Sequence, residues 1–144
     1  FAHNMGRLVA IDFGIQRCGL ACTDPEQLIA SGLDFRATKE VIPYLIDYCK
    51  TETVDTFIVG QPLQKDGSDS AVAKEIKKFV TQLQAVFPKH SITRYDERFT
   101  SKIAFQTLVE SGVSKKKRRE KGLVDKISAT LILQSYMSYQ SNTL

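Results

Sequence analysis

The sequence predicts a single α/β domain, built on a mixed five-stranded β-sheet with helices on both faces. Its 144 residues suffice for one domain with a sizeable core. Segments with the apolar pattern of strands alternate with segments whose apolar residues recur at helical spacing, in the order βββαβαβαα. A hairpin at the start produces antiparallel pairing and the later strand–helix repeats produce parallel pairing, so both strand directions are expected in one sheet.

The first three elements are predicted to be strands. Residues 7–13 are mostly apolar and end in the sequence DF, and a tight turn containing Gly14 leads into a second strand over residues 17–23. A third strand over residues 29–37 should pair with the second. The chain is therefore expected to begin with an antiparallel hairpin.

Helices and strands alternate after this hairpin. The predicted elements are a helix over 39–50, a strand over 55–60, a helix over 69–86, a strand over 91–97, a helix from Thr100 or Ser101 to about Glu110, and a helix over 123–140. Pro43 is expected in the first turn of its helix, where a missing N–H is tolerated, and Pro88 should end the next helix. The run over residues 55–60 is continuously apolar, which is typical of a buried parallel strand.

Composition excludes several classes of protein. The chain is 42% hydrophobic and 25% charged, as in ordinary globular proteins, and it contains no run of about 18 apolar residues that would predict a membrane span. No signal peptide is recognisable, and residues 1–4 (FAHN) look like the remnant of an expression tag, which leaves residues 5–144 as the domain. Three cysteines without CxxC spacing favour reduced thiols, and hence a cytoplasmic protein. With His90 as the one histidine outside the tag remnant, a zinc site is not expected.

A cluster of positive charge precedes the last predicted helix. The net charge is +4, and residues 115–121 (KKKRREK) hold six basic residues and one acid between Gly112 and Gly122. Such a run is either a solvated loop or a basic arm that contacts phosphates. The elements around it decide between these interpretations.

Acidic residues fall at the ends of predicted strands and at the start of the last helix. Asp12 ends the first strand, Asp96 and Glu97 end the last strand, and Asp125 lies in the first turn of the last helix. Asp12 could simply form a turn, and Asp125 could interact with the helix dipole. The first strand and the strands after the helical crossovers should be central, so that their ends meet. Because strand side chains alternate, only one of Asp96 and Glu97 can join the others.

Converging carboxylates would repel one another and raise one another's pKa unless a cation lies between them. Magnesium and manganese prefer such oxygen ligands. A carboxylate–metal centre beside a basic segment suggests a phosphodiester substrate, since two metal ions can activate the attacking water and stabilise the leaving oxygen. The pattern therefore predicts a site for Mg²⁺ or Mn²⁺, with two ions.

Four motifs carry a family resemblance. DFGIQRCGLA, VGQPLQKDGS, DERFTS and VDKISATLILQSYM resemble, in this order, motifs of the YqgF-type proteins, also called RuvX or Holliday junction resolvases, and the resemblance extends from about Leu8 to Met137. It implies a ribonuclease H-like fold and a nuclease whose catalytic and metal-binding carboxylates are Asp12, Glu97 and Asp125. The activity of the family is described both as 5′-end maturation of precursor 16S ribosomal RNA and as resolution of branched DNA.

Residues expected to contact nucleic acid surround these carboxylates. Gly14, which has no side chain, lets a phosphate approach the first turn. The basic residues expected to bind phosphates are Arg17, Lys65, Arg98, Lys116, Lys117, Arg118 and Arg119. For Arg17 and Arg98, a structural ion pair is the competing interpretation. The expected partner is a ribosomal RNA precursor or branched DNA, with no membrane partner, and a homodimer is one option that the sequence leaves open.

Two other classes of function also remain open from the residues alone. ATP-binding phosphotransferases of the actin-like and sugar-kinase types begin with a strand, DxG and a hairpin, but they need two such domains to enclose a nucleotide. A non-catalytic RNA-binding assembly factor would explain the basic segment but not three convergent acids. Stabilisation by nucleotide would support the first class, and RNA binding without metal-dependent cleavage would support the second.

Overall fold

The computed structural model describes residues 6–64, 66–100 and 121–142. Residues 1–4, for which a tag remnant is predicted, Lys65, the helix predicted to reach Glu110 and residues 115–120 of the basic segment lie outside these ranges. The described elements are β1 (Arg7–Asp12), β2 (Arg17–Thr23), β3 (Ala30–Ala37), α1 (Thr38–Tyr48), β4 (Val54–Gln61), α2 (Ala73–Val86), β5 (Ser91–Asp96), a short 3₁₀-helix (Glu97–Phe99) and α3 (Lys121–Asn142).

The five strands form one mixed sheet in the order β3-β2-β1-β4-β5. β1 pairs with β2 in the antiparallel direction and with β4 in the parallel direction, and β4 is parallel to β5. The predicted hairpin and parallel crossover are thus confirmed. β1 is the middle strand, as expected, but the expectation that β5 is central is wrong. β5 lies at the edge because the crossover through α2 takes the chain one position outward from β4.

The middle strands are buried on both faces of the sheet. Val9 and Ile11 of β1 pack in the core under α1 and α2, whereas Leu8 and Ala10 pack against α3 on the other face. Ile58 of β4 also packs on the face of α3. Helices therefore cover both faces, as predicted, and burial on two sides explains why β4 is continuously apolar.

The position of Pro43 in α1 and the start of α2 differ from the predictions. Pro43 lies inside α1 and not in its first turn, and it removes the N–H that would otherwise bond to the carbonyl of Lys39. α2 begins at Ala73 rather than at residue 69, because the chain first forms an isolated bridge between Leu63 and Asp69.

The cysteines follow the prediction. Cys18, Cys22 and Cys49 are thiols and not disulfide partners. Cys18 and Cys22 lie on one face of β2, in the core under α1 and α2. Over the ranges that the structure describes, no helix is both long and apolar enough to cross a membrane.

Candidate active site at the carboxyl edge of the sheet

Four strands, β1, β3, β4 and β5, run in the same direction and end at one edge of the sheet, which we call the carboxyl edge. Asp12 is the last residue of β1. Glu97 follows β5 directly, as the first residue of the 3₁₀-helix. Two of the three predicted carboxylates, which are far apart in sequence, therefore lie at the same edge.

Asp12 also lies on a defined face of this edge. Ala10 of β1 and Ile58 of β4 pack on the face of the sheet that α3 covers. Side chains alternate between the two faces along a strand, so Asp12 and Gly60, each two residues further along, lie on that same face. Ile11 pairs with Val59 in the parallel ladder, so Asp12 and Gly60 occupy the next positions on neighbouring strands. Neighbouring strands are about 4.8 Å apart, which makes Gly60 the nearest position of β4 to Asp12.

The Glu97 carboxyl group fills the space beside Gly60. A Cβ atom added at Gly60 would lie only 2.5 Å from Oε2 and 2.8 Å from Cδ of Glu97. Any side chain at this position would displace the carboxyl group. Glu97 is thus brought over β4 towards the strand position of Asp12, on the face covered by α3.

Gly60 is a buried residue within β4, in agreement with the predicted strand over residues 55–60. Its role in admitting Glu97 is a long-range contact that no local turn pattern indicates. The glycine at the end of an otherwise β-branched and aromatic run was the one available signal.

Burial makes Glu97 an unusual acid. Burial raises the pKa of its carboxyl group to about 7, the Arg94 guanidinium opposes this increase, and the Asp96 carboxylate adds to it. Repulsion among three carboxylates was expected to raise the pKa, whereas desolvation is the main cause. The group is poised between its neutral and charged forms near neutral pH, and a nearby cation would favour the charged form.

Arg94 is a residue that the sequence-based reasoning missed. Its guanidinium donates hydrogen bonds to the backbone carbonyl oxygens of Val59 (3.3 Å) and Gly60 (3.2 Å). Burial lowers the pKa of Arg94, while the charges of Glu97 and Asp69 raise it. Arg94 therefore anchors the end of β4 next to Glu97 and supplies positive charge there.

Asp96 and Glu97 diverge, as predicted, although Glu97 no longer belongs to the strand. Asp96 accepts hydrogen bonds from the backbone N–H (2.9 Å), Nε (2.9 Å) and Nη2 (2.6 Å) of Arg98, and these bonds lower its pKa. Asp96 thereby caps the 3₁₀-helix. Arg98 forms the structural ion pair that competed with phosphate contact, while its contact with nucleic acid stays a prediction.

The third predicted carboxylate, Asp125, lies on α3, and its side chain is outside the described part of the chain. α3 itself covers the face of the sheet on which Ala10 and Ile58 lie, which is also the face of Asp12. Among the side chains that are described, no group of three that could hold a metal ion occurs.

Contacts within the protein hold the tight turn between β1 and β2. A Cβ atom at Gly14 would collide with the carbonyl oxygen of Arg17, so this glycine is required by the turn itself. The Gly14 carbonyl accepts a hydrogen bond from Thr38 Oγ1 at 2.6 Å. Arg17 begins β2 at the carboxyl edge. The other predicted phosphate contacts, Lys65, Lys116, Lys117, Arg118 and Arg119, lie outside the described residues.

The sheet order and the helices on both faces define a ribonuclease H-like fold of the RuvC type. Among solved structures, RuvC of T. thermophilus in complex with Holliday junction substrate matches with a TM-score of 0.55 and 13% identity, over 92% of this chain and 96% of that chain. At this identity the likeness shows the fold alone.

Sequence comparison identifies the family. The family model described as "RuvX: Holliday junction resolvase" matches residues 6–139. A relative from Flavobacterium johnsoniae, named "Putative pre-16S rRNA nuclease", is 48% identical over 134 residues, covering 93% of this chain and 97% of its own length. A relative of the same name from Parabacteroides distasonis is 47% identical over 133 residues, 92% of this chain and 95% of its own length. The chain belongs to the RuvX family, a family of nucleases, as the motifs had implied.

Proposed function

We propose that the protein is a metal-dependent nuclease that matures the 5′ end of precursor 16S ribosomal RNA in the cytoplasm. The observation that carries this proposal is the placement of Glu97. Its carboxyl group is buried at the carboxyl edge over Gly60, next to the strand position of Asp12, in a chain of the RuvX family. The names of the relatives from Flavobacterium and Parabacteroides favour RNA as the substrate.

The donor set suits a divalent cation. Asp12 and Glu97 offer carboxylate oxygens, the ligands that Mg²⁺ and Mn²⁺ prefer, and Asp125 of α3 is the third carboxylate that the family motifs supply. Asp12, Glu97 and Asp125 would hold the ions. When bound, two such ions would activate the attacking water and stabilise the leaving oxygen of a phosphodiester.

Residues of the chain prepare this site without touching the substrate. Gly60 leaves the space that Glu97 occupies, and Arg94 holds the backbone of β4 through two carbonyl oxygens. The raised pKa of Glu97 means that this carboxyl group can keep a proton until a cation displaces it. Asp96 forms an ion pair with Arg98, so Glu97 is the one of these two adjacent acids that is available to the site.

Basic residues hold the substrate in this proposal. Arg17 and Arg98 flank the carboxylates at the edge, Gly14 keeps the first turn tight, and Lys65 with Lys116, Lys117, Arg118 and Arg119 bind phosphates further away. Replacing the last four residues by alanine should weaken RNA binding and reduce the log–log salt slope by roughly 0.7–0.9 for each phosphate that is no longer bound. Filter binding over a salt series measures this slope, and an unchanged slope would mean that the segment is merely solvated.

A cleavage assay tests the central proposal. Purified protein is offered a 16S precursor fragment and a four-way DNA junction, each with magnesium, manganese or chelator. We expect the parent protein to cleave the RNA only when metal is present, and Asp12→Asn not to cleave it. The control Asp47→Asn, which removes an exposed carboxylate at the far end of α1, should cleave as the parent does. RNA binding without cleavage under all metal conditions would instead support an assembly factor.

Resolution of branched DNA is the second candidate function, and the description of the matching family model favours it. A junction resolvase must cut two strands, so this candidate also calls for a homodimer. Preferential cleavage of the junction over the RNA, together with a dimeric mass in sedimentation equilibrium, would establish it in place of RNA maturation.

A further inference from the structure

A groove opens next to the candidate active site, on the opposite face of the sheet. It lies between the turn over residues 13–16, the beginning of α1 and α2, and has a volume of about 560 Å³. Phe13 and Ile15 line it from the turn that follows Asp12, and Ile42 lines it from α1. Because consecutive Cα atoms are about 3.8 Å apart, Ile15 lies within roughly 11 Å of Asp12. A nucleic-acid strand bound at the carboxylates can therefore reach the groove.

The floor of this groove is apolar and well supported. Phe13 packs against Phe79 with ring centroids 5.2 Å apart, and both Phe13 and Ile42 pack on the core under α1 and α2. Ile15, in contrast, is 59% exposed. A well-packed apolar floor with an exposed aliphatic side chain at its mouth suits the flat, apolar face of a nucleobase.

The rim of the groove is positively charged. Lys39, in the first turn of α1, and Lys78, in the first half of α2, both line it and are both exposed. Lys74 and Lys77 extend the positive charge along the same side of α2. Because α1 and α2 both start at the carboxyl edge, these ammonium groups lie beside the path of a phosphate backbone that crosses that edge.

We propose that this groove binds an unpaired nucleotide of the RNA strand, adjacent to the phosphodiester that is cut. The base lies on Phe13, Ile15 and Ile42, and the flanking phosphates contact Lys39 and Lys78. A base inside a duplex cannot enter, because its faces are stacked and its edge is paired. The inference rests on the proposed nuclease function and makes its substrate more specific, namely a single-stranded segment at the cleavage position.

Binding measurements test the groove independently of cleavage. Fluorescence anisotropy in chelator compares a labelled single-stranded RNA from the precursor with the same strand annealed to its complement. The variants are Lys39→Ala/Lys78→Ala and Ile15→Ser. The control is Lys50→Ala/Lys89→Ala, which makes the same change in charge at exposed positions of the opposite edge. Melting curves check that every variant folds.

We expect the Lys39/Lys78 pair to lose roughly tenfold in affinity for the single strand, with a salt slope reduced by about 1.4 for two phosphates. Ile15→Ser should lose about fivefold, with the slope unchanged, because it removes an apolar contact and no charge. Neither change should weaken duplex binding, and the control pair should alter nothing. Equal losses for duplex and single strand, or for the control pair, would overturn the proposal.

Photo-crosslinking separates this inference from the proposed function. With 4-thiouridine placed next to the cleavage position, crosslinks should map to the peptide that contains Phe13 and Ile15, and crosslinks confined to α3 would overturn the groove. If the parent cleaves no substrate while these binding effects appear, the proposed function fails and the groove stands. If cleavage occurs and the groove variants bind normally, the groove alone is wrong.

Discussion

Asp24 and Glu97 both directly follow a β-strand, but their carboxyl groups lie in opposite surroundings. Asp24 follows β2 at the edge opposite the carboxyl edge. It accepts hydrogen bonds of 2.7–3.1 Å from three backbone N–H groups in the turn that follows it, and these bonds, with that from Ile29 foremost, lower its pKa. Glu97 is buried over Gly60, and its pKa is raised to about 7.

This difference separates an acid that builds the fold from one that is available for chemistry. Backbone donors satisfy Asp24, so that its charged form stabilises the turn. Burial of Glu97 is only partly offset by Arg94, so its charged form is costly in the folded protein until a cation compensates it. Perturbed acids of this kind are concentrated at functional sites, where stability is often lower than it could be.

The largest expected effect is on catalysis. Glu97→Gln should reduce cleavage by about two orders of magnitude or more, the scale seen when a group that stabilises transition-state charge is removed. Asp24→Asn should leave the cleavage rate of folded protein unchanged. Initial rates with saturating magnesium measure both variants, and a comparable loss in the two would abolish the distinction between these acids.

Gly60→Ala tests whether the position of Glu97 matters in addition to its charge. The added methyl group would meet the carboxyl group at 2.5 Å, and misplacement on this scale costs roughly 10- to 100-fold in rate. Gly32→Ala is the matched control, since its new Cβ would lie 3.4–3.6 Å from atoms of Lys126 and Thr130, which is ordinary van der Waals contact. If Gly60→Ala cleaves at the rate of the parent, Glu97 does not need to lie beside Gly60 for catalysis.

The pH dependence of stability should differ in sign between the two acids. Glu97 binds its proton more tightly in the folded state, so the stability it contributes is complete below its usual pKa of 4.5 and is lost as the pH rises to about 7. This loss is on the order of 3 kcal/mol. The pKa of Asp24 is lowered from 3.8, so the stability it contributes is present above that value and is lost as the pH falls further.

Urea unfolding between pH 3 and 8, in chelator, measures these contributions. We expect Glu97→Gln to remove the decline in unfolding free energy between pH 4.5 and 7, and Asp24→Asn to remove a decline confined to acidic pH. If the parent is equally stable at pH 4.5 and pH 7, burial does not raise the pKa of the Glu97 carboxyl group.

The smallest expected effect concerns Asp12, which could resemble either acid. If Asp12 is a metal ligand, Asp12→Asn should melt a few degrees higher than the parent in chelator, where about 1 kcal/mol corresponds to 2–4 °C, and should gain less from magnesium. If Asp12 instead serves a turn, as Asp24 does, the variant should melt lower by an amount independent of metal. Two thermal melts per protein, with and without magnesium, decide between these outcomes.

Local patterns in the sequence were enough to predict most of the architecture. The tight turn at Gly14, the hairpin after it and the continuous apolar run of β4 depend on neighbouring residues, whose backbone preferences and periodicity can be read directly. The order of the elements and the presence of helices on both faces followed from these patterns. Asp12 could likewise be located, because an acid at the end of a middle strand is visible in a single segment.

Tertiary structure decided the features that depend on residues distant in sequence. Glu97 reaches its position because Gly60, 37 residues earlier, lacks a side chain, and Arg94 supports that strand through its carbonyl groups. β5 is an edge strand because of the direction of one crossover, which no periodicity specifies. The groove combines a turn, α1 and α2, so its floor and its charged rim exist only after those three elements pack. Periodicity records which side of an element is buried, but not which element buries it, and for that reason the contacts around Glu97 could not be obtained from the sequence alone.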